Sequence, residues 1–217
     1  LASEFGGFGW VDLAQGIKGD TDGRIGMISP PTVYKNIIIT GGNNGENSPS
    51  LGLYGDIRGW DARTGKLLWS FHTVPRPGEP GHETWEGDSW KGRSGVNVWG
   101  FLTVDAKRGI VYMPLGAPTW DRYGGDRKGA NLYSSSIVAA DANTGKYLWH
   151  FQVVRHDIWD ADLANPPALI DVKRDRLQGE WEMRPEGLAL KSISGPQELE
   201  IKTSVPIWKK AVFVDHS

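Results

Sequence analysis

The stretch "GWDARTGKLLWSF" at residues 59–71 returns 80 residues later as "AADANTGKYLWHF" at residues 139–151. Both copies contain Asp-Ala-x-Thr-Gly-Lys and end in Leu-Trp-x-Phe. In each copy a strand ends at the aspartate, and Asp-x-x-Thr-Gly forms a hairpin turn whose glycine is free to take a positive φ. The alternation that follows, as in Tyr147, Trp149 and Phe151, predicts a second strand. One copy is an ordinary β-hairpin, but two copies with matched tryptophans indicate a repeated β-sheet unit.

The composition favours many short strands joined by tight turns. The 217 residues include 29 Gly, 13 Pro and 11 Trp, so turns are frequent and large flat side chains are available to pack between sheets. A similar strand–turn–strand pattern occupies residues 101–116, and further strands are predicted at 33–40 and 168–172. Helical periodicity is weak throughout. Four-stranded blades arranged radially fit this pattern.

Several classes of protein are disfavoured by the same numbers. A formal net charge of −2 provides no basic surface, so no nucleic-acid partner is expected. The absence of cysteine excludes disulfides and cysteine-ligated zinc, and it leaves the redox compartment open. No apolar run approaches the ~18 residues of a membrane span. The sequence begins at Leu1 without a signal peptide, so we expect the natural N-terminus to lie upstream.

The repeated unit resembles the tryptophan-docking motif of dehydrogenases that use pyrroloquinoline quinone (PQQ), which are eight-bladed β-propellers. In that family the tryptophan of one blade stacks on the glycine peptide of the next. The segments at 29–42, 97–116 and 123–127 extend the resemblance, which is to the glucose, quinate and polyol dehydrogenase branch. It implies an all-β fold, a fragment of about three blades of such a quinoprotein propeller. Residues 1–175 would form the partial propeller, and residues 176–217 a divergent tail of uncertain structure.

The resemblance also implies an activity. Such a quinoprotein oxidises a sugar, polyol or other alcohol hydroxyl, with hydride transfer to PQQ and electrons passed to ubiquinone or to cytochrome c. The implied cofactors are PQQ and a divalent metal, calcium or magnesium, with a lanthanide as a further option. The implied location is the periplasm, with any inner-membrane anchor in a part outside this sequence.

Two other interpretations stay open at this point. The chain can be a non-catalytic propeller scaffold of the outer-membrane assembly type, which uses the same repeats for binding. It can also be an inactive truncated fragment, because about three blades would leave open sheet edges.

The stretch "RHDIWDAD" at residues 155–162 concentrates three aspartates around a tryptophan. Alcohol oxidation needs a base to take the hydroxyl proton, and a hard cation with oxygen ligands to polarise the electron acceptor. The resemblance makes Asp160 the catalytic base and a metal ligand. Asp162, two residues further on in an extended chain, is predicted as a second metal ligand on the same face. A charged, solvated loop is the alternative interpretation.

The resemblance also implies positions for the cofactor and its metal. Trp99 is predicted as the platform on which the quinone stacks, because an indole offers a wide flat face; a core tryptophan is the alternative. Ser29 is predicted to donate to a quinone carboxylate. Glu46 and Asn47 are predicted as further metal ligands, although an ordinary Asn/Gly turn explains them equally well.

Three further residues are predicted to line the substrate pocket. His156 precedes the aspartates and is placed to orient a substrate hydroxyl, unless it is a surface residue. Asp126 and Arg127 match the sugar and quinate branch, in which their loop lies near the pocket. An exposed loop salt bridge is the alternative for this pair.

Overall fold

The computed structural model describes residues 3–15, 26–42, 54–169, 179–184 and 187–193. The chain divides into two compact units, Leu1–Ala168 and Leu169–Ser217. The described residues contain ten β-strands and one short 3-10 helix at His82–Thr84, and no α-helix occurs among them. The predicted all-β fold is therefore confirmed. None of the described ranges forms a helix that is long and apolar enough to cross a membrane.

The first unit contains two antiparallel sheets of four strands each, and in both the strands lie side by side in chain order. The first sheet comprises β1 (Thr32–Tyr34), β2 (Ile37–Thr40), β3 (Ile57–Asp61) and β4 (Leu67–Phe71). The second comprises β5 (Thr103–Asp105), β6 (Ile110–Leu115), β7 (Ser136–Asp141) and β8 (Tyr147–Gln152). This sequential four-stranded arrangement is that of a propeller blade.

One predicted strand was wrong in its extent. The apolar run at 33–40 is a hairpin of β1 and β2 in place of a single strand, with Lys35 in the left-handed region at φ 52°. The apolar pattern does not reveal the turn, because the residues on both sides of the two turn residues are in strands. The pattern at 101–116 is confirmed as β5 and β6. In the predicted strand at 168–172, Ala168 and Leu169 are not in a strand, and the rest lies outside the described residues.

The repeated turn has the same geometry in both copies. The Asp61 Oδ1 accepts hydrogen bonds from the Thr64 backbone N–H at 2.7 Å and from its hydroxyl at 3.0 Å. Asp141 Oδ1 accepts the corresponding bonds from Thr144 at 2.9 and 3.1 Å. The glycine that follows takes φ 72° in the first copy and 70° in the second, in the region where a residue with a Cβ is strained. The aspartate and glycine of the motif therefore both serve the turn.

Trp69, at the end of the first repeat, lies between the two sheets. Its indole contacts Gly59 of its own sheet on one side and Gly145, in the turn of the next sheet, on the other. Trp69 is 7% exposed and belongs to a core that includes Ile39 and Met113. The structure thus shows the blade-to-blade contact that the resemblance implies.

The second unit contains a separate antiparallel pair, β9 (Gly179–Arg184) and β10 (Gly187–Ile193). The register shifts between Leu190 and Ser192. The pairing gives part of the predicted tail regular backbone structure that its sequence did not indicate.

Candidate functional site

The segment that carries Trp99 is fixed to the loop that follows β6. The Val96 N–H donates to the Ala117 carbonyl at 2.9 Å, and the Gly116 N–H donates to the Asn97 carbonyl at 3.0 Å. On its other side, the Asn97 side chain donates to the Gly42 carbonyl at 2.6 Å. The backbone leading to Trp99 is therefore held from both sides.

Ser29 reaches the same segment from before β1. Its side chain is buried, 4% exposed, and its hydroxyl donates to the Val98 carbonyl at 2.8 Å. Ser29 is thus adjacent to the predicted stacking tryptophan. In this arrangement its hydroxyl proton is used by the backbone, so any contact with a bound quinone would engage an oxygen lone pair or require the hydroxyl to rotate.

Trp99 and Asp162, both predicted site residues, are in direct contact. The indole Nε1–H donates to Asp162 Oδ2 at 2.9 Å, and the Ala117 N–H donates to Oδ1 of the same carboxylate at 2.5 Å. A Cβ on Gly116 would lie 2.7 Å from that Oδ1, so the approach requires glycine there. Burial raises the pKa of Asp162, and the Ala117 N–H opposes the rise. Asp162 therefore fixes the edge of the indole while leaving Trp99 half-buried.

Asp160 lies in the left-handed region at φ 58°, and its side chain is 27% exposed. Its Oδ2 is 3.4 Å from the Arg122 guanidinium, which is itself 79% exposed. Burial and then the negative charge of Asp121 raise the pKa of the Asp160 carboxyl, and Arg122 lowers it. A partly enclosed carboxylate beside other carboxylates is stabilised by a cation or by a proton, which is the behaviour expected of a metal ligand or a base.

Asp157 has a different environment from the other two aspartates. It is fully buried, and its carboxylate accepts hydrogen bonds from the Trp159 N–H at 2.9 Å, the Ala161 N–H at 3.0 Å and the Ser135 hydroxyl at 2.6 Å. Of the three aspartates, Asp160 is the one whose carboxylate is engaged only by a single long contact in the described residues. The cluster therefore contains two carboxylates used in internal hydrogen bonds and one that is open to chemistry.

The residues predicted for the substrate pocket lie in the polar layer next to this loop. Arg127 is fully buried and donates to the Asn131 side chain at 2.9 Å and to the Asp157 carbonyl at 2.5 Å. Burial, and then the charge of Arg93, lowers the pKa of Arg127 to about 10. The buried Arg93 pairs with Asp126 at 3.0 Å. Asp126 and Arg127 therefore do not form an exposed loop salt bridge. Asp126 pairs with the buried Arg93, and Arg127 is itself buried.

His156 lies beside the same layer. Its Nδ1 is 2.8 Å from the Gly129 carbonyl and 3.1 Å from the Asn131 Oδ1, and the residue is half-buried at φ 47°. A Cβ on Gly124 would collide with the other side of the ring. His156 is therefore enclosed between two loops. Its Nδ1 faces the oxygens of Gly129 and Asn131, and its Nε2 faces Gly124, where a Cβ would lie 2.3 Å away.

The metal-ligand prediction is only partly covered by the structure. Glu46 and Asn47 lie outside the described residues. Within the described ranges, no group of three or more His, Asp or Glu side chains is arranged to hold a metal ion. The carboxylate oxygens present are nevertheless of the type that a hard cation prefers, and Asp160 retains free lone pairs. Asp162 would have to share oxygens that already accept hydrogen bonds.

Sequence reasoning missed one residue at this site and the role of another. The dipeptide Asp-Arg occurs twice within seven residues, at 121–122 and at 126–127. The resemblance points to the second pair as pocket residues. It is Arg122 of the first pair that contacts Asp160. Asp157 belongs to the predicted aspartate cluster, but its own role, signalled by its place three residues before Asp160, was not predicted. A carboxylate there can accept the N–H groups that follow it, as in an Asx turn.

Replacing Asp162 with asparagine should weaken the fold around Trp99. An amide has one acceptor oxygen, so either Trp99 or Ala117 loses its partner, which costs about 1–3 kcal/mol for a buried donor. Urea unfolding of the chain measures the change in the free energy of unfolding. Asp88→Asn is the control, because Asp88 is exposed and forms a salt bridge with the exposed Lys91 in the described part of the chain, so a change within about 0.5 kcal/mol is expected. Equal effects for the two variants would contradict the role assigned to Asp162.

Comparison with known proteins identifies the family of this chain. Residues 1–180 match the family described as "PQQ: Glucose/ethanol/alcohol dehydrogenase, beta-propeller domain". The chain is 37% identical over 172 residues to quinoprotein glucose dehydrogenase A from Acinetobacter calcoaceticus. It is 35% identical over 170 residues to quinate/shikimate dehydrogenase (quinone) from Acinetobacter baylyi. These alignments cover 79% and 77% of this chain and 21% of each relative, so the chain spans about a fifth of their length.

Among solved structures, the chain resembles the quinohemoprotein alcohol dehydrogenase from Comamonas testosteroni. The TM-score is 0.66 at 28% sequence identity, and the match covers 92% of this chain and 31% of the other. The fold of this chain therefore resembles about a third of a larger solved protein.

Proposed function

This chain belongs to the family of PQQ-dependent glucose, ethanol and alcohol dehydrogenases with a β-propeller domain, and from that premise we propose that the full-length protein oxidises a hydroxyl group of a sugar, polyol or other alcohol. The names of the relatives support this substrate class, since they are glucose and quinate/shikimate dehydrogenases. The proposal extends to electron transfer to ubiquinone or a cytochrome, and to a location in the periplasm.

The observation that carries the proposal is the link from Trp99 through Asp162 to Asp160. The indole edge of Trp99 is fixed by the carboxylate of Asp162. The open carboxylate of Asp160 lies two residues earlier in the same segment. A flat platform and a free base are therefore held by one short segment. A propeller that served only as a binding scaffold would have no need for this combination, which favours the enzyme over the scaffold.

Each residue then has a role in the proposed reaction. Asp160, in its ionised form, accepts the proton of the substrate hydroxyl at a carboxylate oxygen. Trp99 supports the cofactor by stacking, and PQQ, when bound, supplies the electrophilic quinone that accepts hydride. Arg122, 3.4 Å from Asp160, favours the ionised carboxylate and is exposed enough to move aside for substrate.

The remaining predicted ligands are part of the same proposal. Asp160, with Asp162, Glu46 and Asn47, would supply oxygens to calcium, magnesium or a lanthanide. Ser29 would meet the cofactor edge beside Trp99.

The predicted pocket residues divide by burial. His156, whose Nε2 lies against Gly124, would orient a substrate hydroxyl only after its ring turns, and Asp126 would contribute at the rim. Arg127, which is enclosed, would act through the loop that it holds.

Reconstitution of the full-length protein tests the proposal. The apoprotein is incubated with PQQ and with Ca²⁺, Mg²⁺ or La³⁺, and reduction of an artificial dye acceptor is followed with glucose, quinate, glycerol and ethanol. We expect dye reduction with at least one metal and one of these hydroxyl compounds. Binding of PQQ without dye reduction under any of these conditions would refute the catalytic assignment and favour the scaffold.

A further inference from the structure

The buried carboxylate of Asp157 holds the backbone on both sides of Asp160. Its Oδ1 accepts the N–H of Trp159 at 2.9 Å, and its Oδ2 accepts the N–H of Ala161 at 3.0 Å. These are the residues immediately before and after Asp160. The buried carboxylate therefore accepts a hydrogen bond from the residue on each side of Asp160, to which the proposed chemistry is assigned; these two are called the bracketing hydrogen bonds.

The bracket matters because Asp160 has an unfavourable backbone conformation. At φ 58° it lies in the left-handed region, which few residues with a Cβ occupy without local support. If the two N–H groups were released, the loop would relax toward a more common φ. The Asp160 carboxylate would then point in a different direction, because a change in φ at a residue reorients its own side chain.

Asp157 is itself anchored to the body of the second sheet. Ser135, the residue before β7, donates its hydroxyl to Asp157 Oδ2 at 2.6 Å. The buried Arg127 guanidinium donates to the Asp157 carbonyl at 2.5 Å. A chain of contacts thus ties the position of Asp160 to the start of β7, an element of the core sheet.

We propose that Asp157 is a positioning residue, which keeps the Asp160 carboxylate in a productive orientation without contacting substrate. The inference rests on the proposed function, in which Asp160 is the base. It explains the aspartate cluster: Asp160 performs the chemistry, and Asp157 and Asp162 hold Asp160 and Trp99 respectively.

Asp157→Asn in the full-length protein, loaded with PQQ and metal, tests the proposal. Asparagine has one acceptor oxygen, and its NH₂ group would face an N–H, so one of the two bracketing hydrogen bonds is lost. We expect kcat to fall about 10- to 100-fold with KM changed less than about threefold, because misplacing a reacting group by about 1 Å costs up to about 100-fold in rate. Hydrogen exchange of the peptide at 155–165 should also accelerate, and this readout does not depend on activity.

Asp141→Asn is the control for replacing a hydrogen-bonded aspartate without losing a backbone hydrogen bond. The Asp141 carboxylate also accepts two backbone N–H groups, from Asn143 at 2.8 Å and Thr144 at 2.9 Å, and one hydroxyl at 3.1 Å. It is the last residue of β7 and begins the turn to β8, away from the aspartate loop. All three bonds end on Oδ1, which the amide oxygen of asparagine can replace, so we expect kcat to change less than twofold and exchange at 155–165 to stay unchanged.

The outcomes separate this proposal from the function on which it rests. If Asp160→Asn keeps turnover, Asp160 is not the base and the proposed function fails. If Asp160→Asn abolishes turnover but Asp157→Asn matches Asp141→Asn in kcat and in exchange at 155–165, the positioning role is refuted.

A second variant covers the case in which Asp157→Asn does not fold. Ser135→Ala removes only the hydroxyl donor and leaves both bracketing hydrogen bonds in place. It should give a smaller fall in kcat and a smaller rise in exchange of the same peptide. No change in either measurement would count against the anchoring of Asp160 through Asp157.

Discussion

Asp160→Asn is expected to lower kcat of the reconstituted full-length protein by about 10²- to 10⁴-fold, the contribution typical of a general base. The amide has nearly the same shape as the carboxylate, but it cannot accept the hydroxyl proton. Affinity for PQQ should change only modestly, because the indole of Trp99 is held by Asp162 and not by Asp160. Steady-state dye reduction gives kcat, and titration of the apoprotein with PQQ gives the affinity.

Asp121→Asn is the control for this substitution. Asp121 is close enough to raise the pKa of Asp160, and in the structure its carboxylate accepts the N–H of Arg122. The variant removes a neighbouring negative charge of the same kind, and we expect it to retain turnover within about tenfold. If Asp160→Asn retained normal turnover, or if both variants lost it equally, Asp160 would not be the base.

Gly145→Ala is expected to destabilise the contact between the two blades by about 2–5 kcal/mol. A Cβ on Gly145 would lie 2.6 Å from Cε3 and 2.8 Å from Cδ2 of Trp69, an indole that is itself packed against Gly59. Overpacking of this kind costs about 1–3 kcal/mol. A residue with a Cβ at φ 70° adds about 1–2 kcal/mol of backbone strain. Urea unfolding of the chain, followed by tryptophan fluorescence, measures the sum.

Gly87→Ala separates these two contributions. Gly87 also has a positive φ, 60°, but no atom lies within 4 Å of a Cβ built there. It should therefore show only the backbone strain, about 1–2 kcal/mol. Equal losses of stability in the two variants would mean that Trp69 does not pack tightly on Gly145, and the blade-to-blade contact would need another explanation.

Much of the local structure could be predicted from the sequence, because the relevant interactions are short-range. The turn at Asp61 and the turn at Asp141 are formed by atoms within four residues of each other, so the motif alone specifies them. The single strand predicted at 33–40 was wrong because its turn has no such motif. Lys35 adopts a positive φ that apolar periodicity does not record, and the pairing of β1 with β2 depends on that turn.

The burial of the two repeats shows where local information ends. Leu-Trp-x-Phe occurs in both, yet Phe71 is 7% exposed and Phe151 is 47% exposed. The same residue types have different environments because the second sheet packs on β4 through Trp69 and Gly145, whereas no further sheet covers β8 within the described residues of the first unit. Periodicity gives the alternation of side chains, whereas the neighbouring sheet gives the burial.

The aspartate loop illustrates the same division at the site. The repeat, the glycine turns and the resemblance to a quinoprotein family were all readable in the linear sequence, and they singled out Trp99, Asp160 and Asp162. The different uses of Asp157, Asp160 and Asp162 were not readable, because chemically identical side chains are distinguished only by their partners. Those partners, Ser135, Ala117 and Trp99, lie 22 to 63 residues away in sequence and become neighbours only when the sheets pack.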